Sequence, residues 1–265
     1  MRRLKRVLAS IALLIIAINA NAWPWISPYA YCMGNPVNFV DPDGRFIICK
    51  GSDGVYYRYT DNDGDSFFVN NTSGERYNGG DEFLDNVITQ FVELSKGAFG
   101  NELLTYLASH EKGVLIFTDT DHDGFSENSM KNPKLKNMGI CSKIHVQSEW
   151  MSSVPGATSY TSLGHEMAHS LDRLNGTIDY STWLRTNNYE IPEAEKYATF
   201  IENGIRAEHG LVPREYYSYD SFGSPDHNTQ LLDSKNRVLY TDTDRQILKG
   251  PYHIGKANKR FKFNF

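Results

Sequence analysis

Apolar residues recur every three or four positions in several stretches of the chain, the spacing that puts side chains on one face of an α-helix. Asp81 can cap the start of the first such helix, and Gly97 can end it. Its apolar positions are Phe83, Leu84, Val87, Phe91 and Leu94. Residues 100–113, with the sequence GNELLTYLASHEKG, predict a second helix.

Two more helices follow from the same spacing further along the chain. The third ends near Gly176, where a helix C-cap belongs, and its apolar stripe is Leu163, Met167, Leu171 and Leu174. The fourth begins after Pro192, a residue suited to the first turn of a helix. Its apolar positions are Ala198, Phe200, Ile201 and Ile205.

Elsewhere the pattern has a period of two, which is typical of β-strands. Residues 46–70 alternate apolar and polar positions around the turn pairs Asp53-Gly54 and Asp63-Gly64. This pattern predicts a small β-meander with hairpin turns. Residues 114–117 and 144–146 predict two further strands on either side of a long loop.

The bulk properties of the chain narrow the classes of function. It has 265 residues, of which 40% are hydrophobic and 22% charged, enough for one sizeable core, and its net charge is -5. Nothing in this composition is typical of a disordered, collagen-like or polytopic membrane protein. The mild acidity argues against a nucleic-acid-binding protein, which needs a concentrated basic face.

The first 22 residues have the three parts of a secretory signal peptide. A basic start in residues 2–6 precedes an apolar run over residues 7–18 and the small-residue cleavage site Ala20-Asn21-Ala22. We therefore expect residues 1–22 to be a signal peptide, the mature chain to be secreted or periplasmic, and membrane contact to be confined to this segment. Export permits disulfides, and an odd number of cysteines allows at most one bridge within the chain, with the pairing open among Cys32, Cys49 and Cys141.

The predicted third helix carries an H-E-x-x-H motif, His165-Glu166-Met167-Ala168-His169. Because residues four apart lie on the same face of a helix, both imidazoles can bind one Zn²⁺. Glu166 follows the first histidine and can lean toward a water at the metal, which is the position of a general base. The motif therefore predicts His165 and His169 as zinc ligands and Glu166 as a catalytic residue.

A catalytic zinc site needs a third protein ligand, and the residues leave more than one candidate. The extended motif of metzincins would need glycine and histidine where this chain has Asp172 and Asn175. Asp179 ends a Gly-Thr-x-Asp segment similar to that of aspzincins, while Glu195 lies at the start of the predicted fourth helix. Two further carboxylates are candidates there, Glu193 and Glu202.

Residues 23–46 carry a signature of another kind. Three motifs in them resemble the end of the core associated with Rhs and YD repeats: Tyr29-Ala30-Tyr31, Gly34-Asn35-Pro36-Val37-Asn38 and Asp41-Pro42-Asp43-Gly44-Arg45. In that family the signature closes a large β-shell and precedes a variable C-terminal domain, often a toxin. The upstream repeats are missing here, and Arg45 stands where many members have a leucine before a self-cleavage point. The resemblance implies that residues 23–46 are a remnant of an Rhs core.

Residues from about 47 to 220 resemble the metallopeptidase domain found at Rhs C-termini, which is related to secreted bacterial effector metallopeptidases. The recurring pieces of that domain are H-E-x-x-H, a helix with E-x-x-A-x-x-x-E-N-x-x-R, and R-x-x-Y. In this chain the pieces are His165, Glu166 and His169, then Glu195, Ala198, Glu202, Asn203 and Arg206, and finally Arg214 with Tyr217. The resemblance implies that residues 47–265 form a zincin-like metallopeptidase domain.

The same resemblance suggests roles for individual residues. It favours Glu195 as the third zinc ligand, in the arrangement of gluzincins. Glu202, and also Asp172, can hold a ligand histidine from behind. Arg214 or Tyr217 can donate a hydrogen bond to the oxyanion of the tetrahedral intermediate.

These observations predict an α+β, zincin-like metallopeptidase domain with an N-terminal β-meander. The expected activity is that of a zinc-dependent endopeptidase of the Rhs toxin-tip type. Its expected substrate is a protein or peptide, and an immunity protein is an expected further partner. Two alternatives stay open, an exported Rhs remnant without enzymatic activity and a folded but inactive toxin fragment. By analogy with zincins, the strand that contains His145 is expected at the sheet edge that pairs with substrate backbone.

Overall fold

The computed structural model describes residues 47–62, 65–110, 112–118, 126–127, 142–146, 154–185 and 190–239. The predicted signal peptide (1–22) and the Rhs-like segment (23–46) lie outside these residues, as do Cys32 and Cys141. Cys49 lies within them and is a buried free thiol.

A mixed β-sheet forms one layer of the domain. Its strands are β1 (Ile47–Lys50), β2 (Tyr56–Asn62), β3 (Asp65–Asn70), β4 (Val114–Thr118), β5 (Ser126–Glu127) and β6 (Ser142–Val146). In space their order is β3-β2-β1-β4-β6-β5. The antiparallel pairing of β1 with β2 and of β2 with β3 confirms the predicted meander, and β4 pairs in parallel with both β1 and β6.

The outer strand next to β6 is β5, which pairs with it antiparallel so that Ser126 lies opposite His145. The expectation that the His145 strand forms the sheet edge is therefore wrong, because β6 has a neighbour on each side. A strand of two residues inside a polar loop has no alternation long enough to be predicted from sequence.

The central strands β1 and β4 are buried on both faces. Ile47 and Cys49 belong to the main hydrophobic core, whereas Ile48 and its register partner Leu115 form a second, smaller cluster on the other face. Burial on both sides is typical of parallel strands in the middle of a sheet.

The described residues contain four α-helices, α1 (Glu82–Ser95), α2 (Ala98–Ser109), α3 (Ser159–Asn175) and α4 (Ala194–Glu208). Asp81 caps α1 as predicted, since its carboxylate accepts a hydrogen bond from the Leu84 N–H. Gly97, which the pattern predicts as the end of α1, is instead the N-cap of α2. The two helices join closely, because a Cβ on Gly100 would lie 2.1 Å from the Leu94 carbonyl oxygen.

A two-stranded hairpin lies between α3 and α4 in the chain, with strands β7 (Thr182–Arg185) and β8 (Glu190–Pro192). Pro192, predicted to open the fourth helix, ends β8 instead, and α4 begins at Ala194. Two backbone bonds hold this join: the Glu193 N–H donates to the Ser181 carbonyl (2.8 Å) and the Ala194 N–H to the Asp179 carbonyl (2.9 Å).

Helix α3 is the centre of the domain. It packs against the other three helices and against β6. Its predicted apolar stripe is fully buried, at Leu163, Met167, Leu171 and Leu174. The sheet and the helices packed on it confirm the predicted α+β class. None of the helices in the described part of the chain combines enough length and enough apolar character to span a bilayer.

Two glycines let α4 approach its neighbours closely. A Cβ on Gly204 of α4 would lie 2.4 Å from the ring of Phe99 on α2, and a Cβ on Gly164 of α3 would lie 2.5 Å from Cδ1 of Ile205 on α4. A larger residue at Gly204 would press on the buried Phe99 ring, and one at Gly164 would require the end of the Ile205 side chain to move. Since α3 and α4 carry most of the candidate site, these contacts set its dimensions.

Gly204→Ala is therefore expected to lower the free energy of unfolding by about 1–3 kcal/mol, because the new methyl group would press on the buried Phe99 ring. Helix propensity alone predicts the opposite sign, a gain of up to about 1 kcal/mol. Urea unfolding of the full chain measures the difference. Val212→Ala, at an exposed side chain, is the control and should change stability by less than about 0.5 kcal/mol. A stabilised Gly204→Ala variant would contradict the close packing.

Candidate metal centre

Helix α3 fixes the first two candidate ligands. Thr158 opens it with a capping box, and Gly176 ends it in the left-handed conformation at φ 70°. Between these caps, His165 and His169 lie one turn apart on the same face. Their ring centroids are 4.9 Å apart, and each residue is only 7% exposed. The motif therefore presents both imidazoles from a rigid and well-capped helix.

Glu195, in the first turn of α4, brings a carboxylate to both rings. Its Oε2 atom lies 3.0 Å from His165 Nε2 and 3.2 Å from His169 Nε2. One ligand atom from each of the three residues lies within 4.8 Å of the others. Among the described residues, His165, His169 and Glu195 form the one set of three or more His, Cys, Asp or Glu side chains that lie close enough together to share a metal ion.

The other carboxylates considered as third ligand have different partners. Asp179 Oδ1 accepts a hydrogen bond from the Ser181 N–H at 2.8 Å. Glu193 Oε2 lies 2.7 Å from the Lys196 ammonium. The structure thus brings Glu195 together with the two histidines and leaves Asp179 and Glu193 outside the group.

The donor set fits zinc. Two imidazole nitrogens and one carboxylate oxygen are a ligand set of catalytic zinc sites, which leave a fourth position open. The site also favours positive charge: although burial opposes it, Glu195 and Glu202 raise the pKa of His165. Burial likewise opposes ionisation of Glu195, but His169 and His165 outweigh it and hold its pKa well below the usual range.

Glu202 supports the first ligand from behind. Its Oε2 atom lies 3.1 Å from His165 Nδ1 and accepts a hydrogen bond from Arg214 Nη1 at 2.9 Å, while its Oε1 atom accepts one from Arg206 Nε at 2.8 Å. Glu202 is 2% exposed. Burial alone would raise its pKa, but Arg214, His165 and Arg206 hold that pKa well below the usual range. Glu202 is thus a buried anion whose contacts fix the orientation of the His165 ring.

Arg206 extends this network to the backbone. Besides Glu202, its guanidinium donates through Nη1 to the carbonyl oxygens of Pro155 (3.0 Å) and Val212 (3.1 Å). Pro155 lies just before α3, and Val212 lies just after α4. A single fully buried side chain therefore ties together the chain segments that flank both ligand-bearing helices.

Arg214 is engaged with protein groups. Its guanidinium binds Glu202 and donates to the backbone carbonyls of Tyr216 and Tyr217. Asn203 holds its backbone from the other side, donating to the Arg214 carbonyl (3.0 Å) and accepting from the Arg214 N–H (2.6 Å). The Arg214 guanidinium is thus engaged with Glu202 and with the backbone that leads to Tyr217.

The Tyr217 side chain points into the site. Its hydroxyl lies close enough to Glu195 for that carboxylate to raise the pKa of the phenol, and its ring lies under the Arg214 guanidinium, 4.7 Å from ring centroid to Cζ. Burial and the negative charges of Glu195 and Glu166 raise the pKa of Tyr217 well above its usual value, against the effect of Arg214. The phenol therefore stays protonated and able to donate at neutral pH.

The two remaining predicted residues lie on α3. Glu166 directly follows His165 on this helix, and its charge contributes to the raised pKa of the Tyr217 phenol. Asp172 is buried, and its Oδ1 atom accepts a hydrogen bond from the Thr177 hydroxyl at 3.0 Å. This contact ties Asp172 to the C-terminal end of α3.

Strand β7, which lies next to the site, was not predicted from the sequence. Trp183, on β7, packs edge-on against Tyr217 with 6.1 Å between ring centroids. No strand was predicted there, although Thr182-Trp183-Leu184-Arg185 alternates polar and apolar residues. The alternation is only four residues long, which is too short to distinguish a strand from a loop.

Glu195→Gln is expected to weaken zinc binding by more than the roughly 10–100-fold typical of a residue that only orients a ligand, because the change removes a charged donor. Asp179→Asn makes the same chemical change at the rejected candidate and keeps its acceptor for the Ser181 N–H, so its zinc affinity should match that of wild type. Competition with a chelator of known affinity measures both variants. Equal weakening in the two variants, or a loss confined to Asp179→Asn, would refute the ligand set.

Glu202→Gln should destabilise the protein by about 3–5 kcal/mol, because it leaves the Arg206 and Arg214 guanidiniums buried beside a neutral amide. The control is Asp65→Asn, which breaks the ion pair with Arg76 on the surface, where the side chains are 60% and 55% exposed. That change should cost less than about 1 kcal/mol. Denaturant unfolding compares the two, and equal costs would show that the buried network contributes nothing beyond a surface pair.

Comparison with known proteins gives a family for this site. None of the curated proteins compared with the chain matches it. Among solved structures, the crystal structure of botulinum neurotoxin type D light chain is similar at a TM-score of 0.31 and 16% identity, over 48% of this chain and 50% of that chain. Residues 71–217 match the model of the peptidase M91 family, described as effector protein. Because this match spans more than half of the chain and ends at Tyr217, it includes His165, His169 and Glu195, and the protein belongs to the peptidase M91 family of effector proteins.

Proposed function

We propose that the protein is a zinc-dependent endopeptidase with the ligand arrangement of gluzincins. The observation that carries the proposal is the convergence of His165 Nε2, His169 Nε2 and Glu195 Oε2 within 4.8 Å. Glu166 directly follows His165, and Tyr217 lies near Glu195, so a base and a hydrogen-bond donor accompany the candidate ligands. Membership of a peptidase family supports the same reaction class.

His165, His169 and Glu195 would hold the ion, and neighbouring groups hydrogen-bond to or lie against these ligands. A zinc ion bound there supplies Lewis-acid polarisation of a carbonyl group and lowers the pKa of water. Glu202, on Nδ1 of His165, favours the tautomer that carries its proton on Nδ1, which leaves the Nε2 lone pair free toward the site. Tyr217 contributes a neutral hydroxyl at the Glu195 carboxylate.

Glu166 is the general base in this proposal. Its carboxylate accepts a proton from the attacking water and later transfers that proton to the nitrogen of the leaving amine. The residue follows His165 directly on a capped helix and is outside the group of three candidate ligands. A base fixed in this way has little orientation left to lose on the way to the transition state.

Tyr217 stabilises the oxyanion. A phenol is already protonated at neutral pH, and burial and two carboxylates raise the pKa of Tyr217 further. Its O–H can therefore donate to the negative oxygen that forms when water adds to the peptide carbonyl. Arg214 positions it through the bond to the Tyr217 carbonyl and the contact of guanidinium and ring.

We also propose a setting for this activity. The substrate is a protein or peptide, and the domain is the effector end of an exported, Rhs-type protein that acts outside its own cytoplasm. The signal-like residues 1–22 and the Rhs-like residues 23–46 support that setting. A secreted peptidase of this kind calls for an immunity protein in the producing cell. The alternative of a non-enzymatic remnant needs no zinc, and that of an inactive fragment does not explain an intact set of ligands, base and donor.

Glu166→Gln is expected to retain zinc and to lower peptide hydrolysis by on the order of 10²- to 10⁴-fold, because it removes the base and leaves the ligands in place. The measurement combines metal analysis of the purified full chain with a survey of new N-termini in a complex protein mixture. Glu93→Gln, at a surface glutamate paired with Lys96, is the matched control. Full activity of Glu166→Gln, or wild-type protein that binds no zinc, would refute the peptidase proposal.

A further inference from the structure

The hairpin of β7 and β8 places the aromatic ring of Trp183 at the edge of the candidate centre; this ring is called the wall below. Trp183 is half-buried, and its ring meets the Tyr217 ring edge-on at 6.1 Å and 68°. Tyr217 in turn lies close enough to Glu195 for that carboxylate to raise the pKa of its phenol. Trp183 is thus one aromatic ring away from the atoms of the centre, and part of its surface remains accessible.

The ammonium group of Lys196 lies over the Trp183 ring, and it forms an ion pair with Glu193. Lys196 Nζ is 4.8 Å from the ring centroid and 2.7 Å from Glu193 Oε2. The Lys196 side chain is 19% exposed, so its stem covers one side of the indole. With the ammonium paired to Glu193, the wall offers apolar surface and little net charge to a ligand.

The wall is rigidly joined to the centre. Backbone bonds from Glu193 to Ser181 and from Ala194 to Asp179 close the base of the hairpin, directly before Glu195. Trp183 and Glu195 therefore lie on one short, tied segment of chain. A preformed apolar surface beside a few fixed polar groups is the usual composition of a ligand subsite.

We propose that Trp183 is a specificity-determining residue of this site, and that it forms the wall of a subsite for a large apolar or aromatic side chain next to the scissile bond. This inference rests on the proposed peptidase function. The chemistry favours an uncharged side chain, because the paired Lys196 and Glu193 leave this surface with little net charge to attract either an acidic or a basic group. The indole face itself favours planar or bulky apolar groups.

The test measures binding separately from catalysis. The probes are fluorescein-labelled hexapeptide libraries with one position fixed as Phe, Leu, Ala or Asp and the other positions mixed. Binding by fluorescence anisotropy is compared for the zinc-loaded, full-length Glu166→Gln variant alone and in combination with Trp183→Ala or Trp183→Phe. Arg185→Ala is the matched control, since it lies on the same strand with its side chain 72% exposed. Zinc content is recorded for every variant.

The Phe and Leu libraries should bind at least about tenfold more tightly than the Ala and Asp libraries, in line with the discrimination of apolar pockets. Trp183→Ala should abolish that preference at unchanged zinc content, whereas Trp183→Phe should keep part of it and Arg185→Ala all of it. A preference that survives Trp183→Ala, equal binding of the Asp library, or no binding by any library overturns the inference. Binding that depends on Trp183 in a protein whose wild type cleaves nothing supports the subsite and refutes only the peptidase proposal.

Discussion

The buried carboxylate of Glu202 holds the candidate centre together. It meets two guanidiniums and one imidazole, those of Arg206, Arg214 and His165. Removing such a group from water costs several kcal/mol per ion, and only close partners with good geometry offset that cost. Because the three partners come from α4, from the segment after it and from α3, satisfying one carboxylate fixes the relative position of three parts of the chain.

That constraint passes outward along named contacts. Through His165 it orients a candidate ligand, and through Arg214 it holds the backbone and ring of Tyr217. Arg206 carries it to the backbone at Pro155 and Val212, next to the ends of both helices. The groups that are proposed to do chemistry are thus fixed by groups that do not touch the reacting atoms, which is how preorganised sites keep their geometry.

How much of the candidate site could be predicted from the sequence depends on how far apart in the chain the residues of each feature lie. His165, Glu166 and His169 share one helical turn, so their arrangement follows from the period of the α-helix. The choice between Glu195 and Asp179 is different in kind. Both carboxylates follow the motif at plausible distances, and only the packing of α4 on α3 brings one of them to the imidazoles. The resemblance to a family favoured Glu195 where local pattern could not.

Failures of prediction cluster where elements are short. Pro192 suits the first turn of a helix, but the pairing of β8 with β7 claims it and moves the helix start to Ala194. The two-residue strand β5 displaces the His145 strand from the sheet edge for the same reason, since a tertiary partner supplies what local pattern lacks. Elements of two to four residues are stabilised by their neighbours more than by their own propensities.

The long helices that could be predicted from sequence and the short hairpin that could not also differ in the part of the site that they carry. The candidate ligands, the proposed base and the buried anion lie on α3 and α4, two capped or tightly packed helices that approach each other closely at Gly164. Trp183 lies on a small hairpin that contacts Tyr217 and Lys196, and the described residues of its two strands are not among the hydrogen-bond partners of Glu202. Side chains on the hairpin can therefore differ without uncoupling Glu202 from its partners. In such an arrangement, selectivity for the substrate can change while the chemistry of the centre is conserved by its own buried electrostatics.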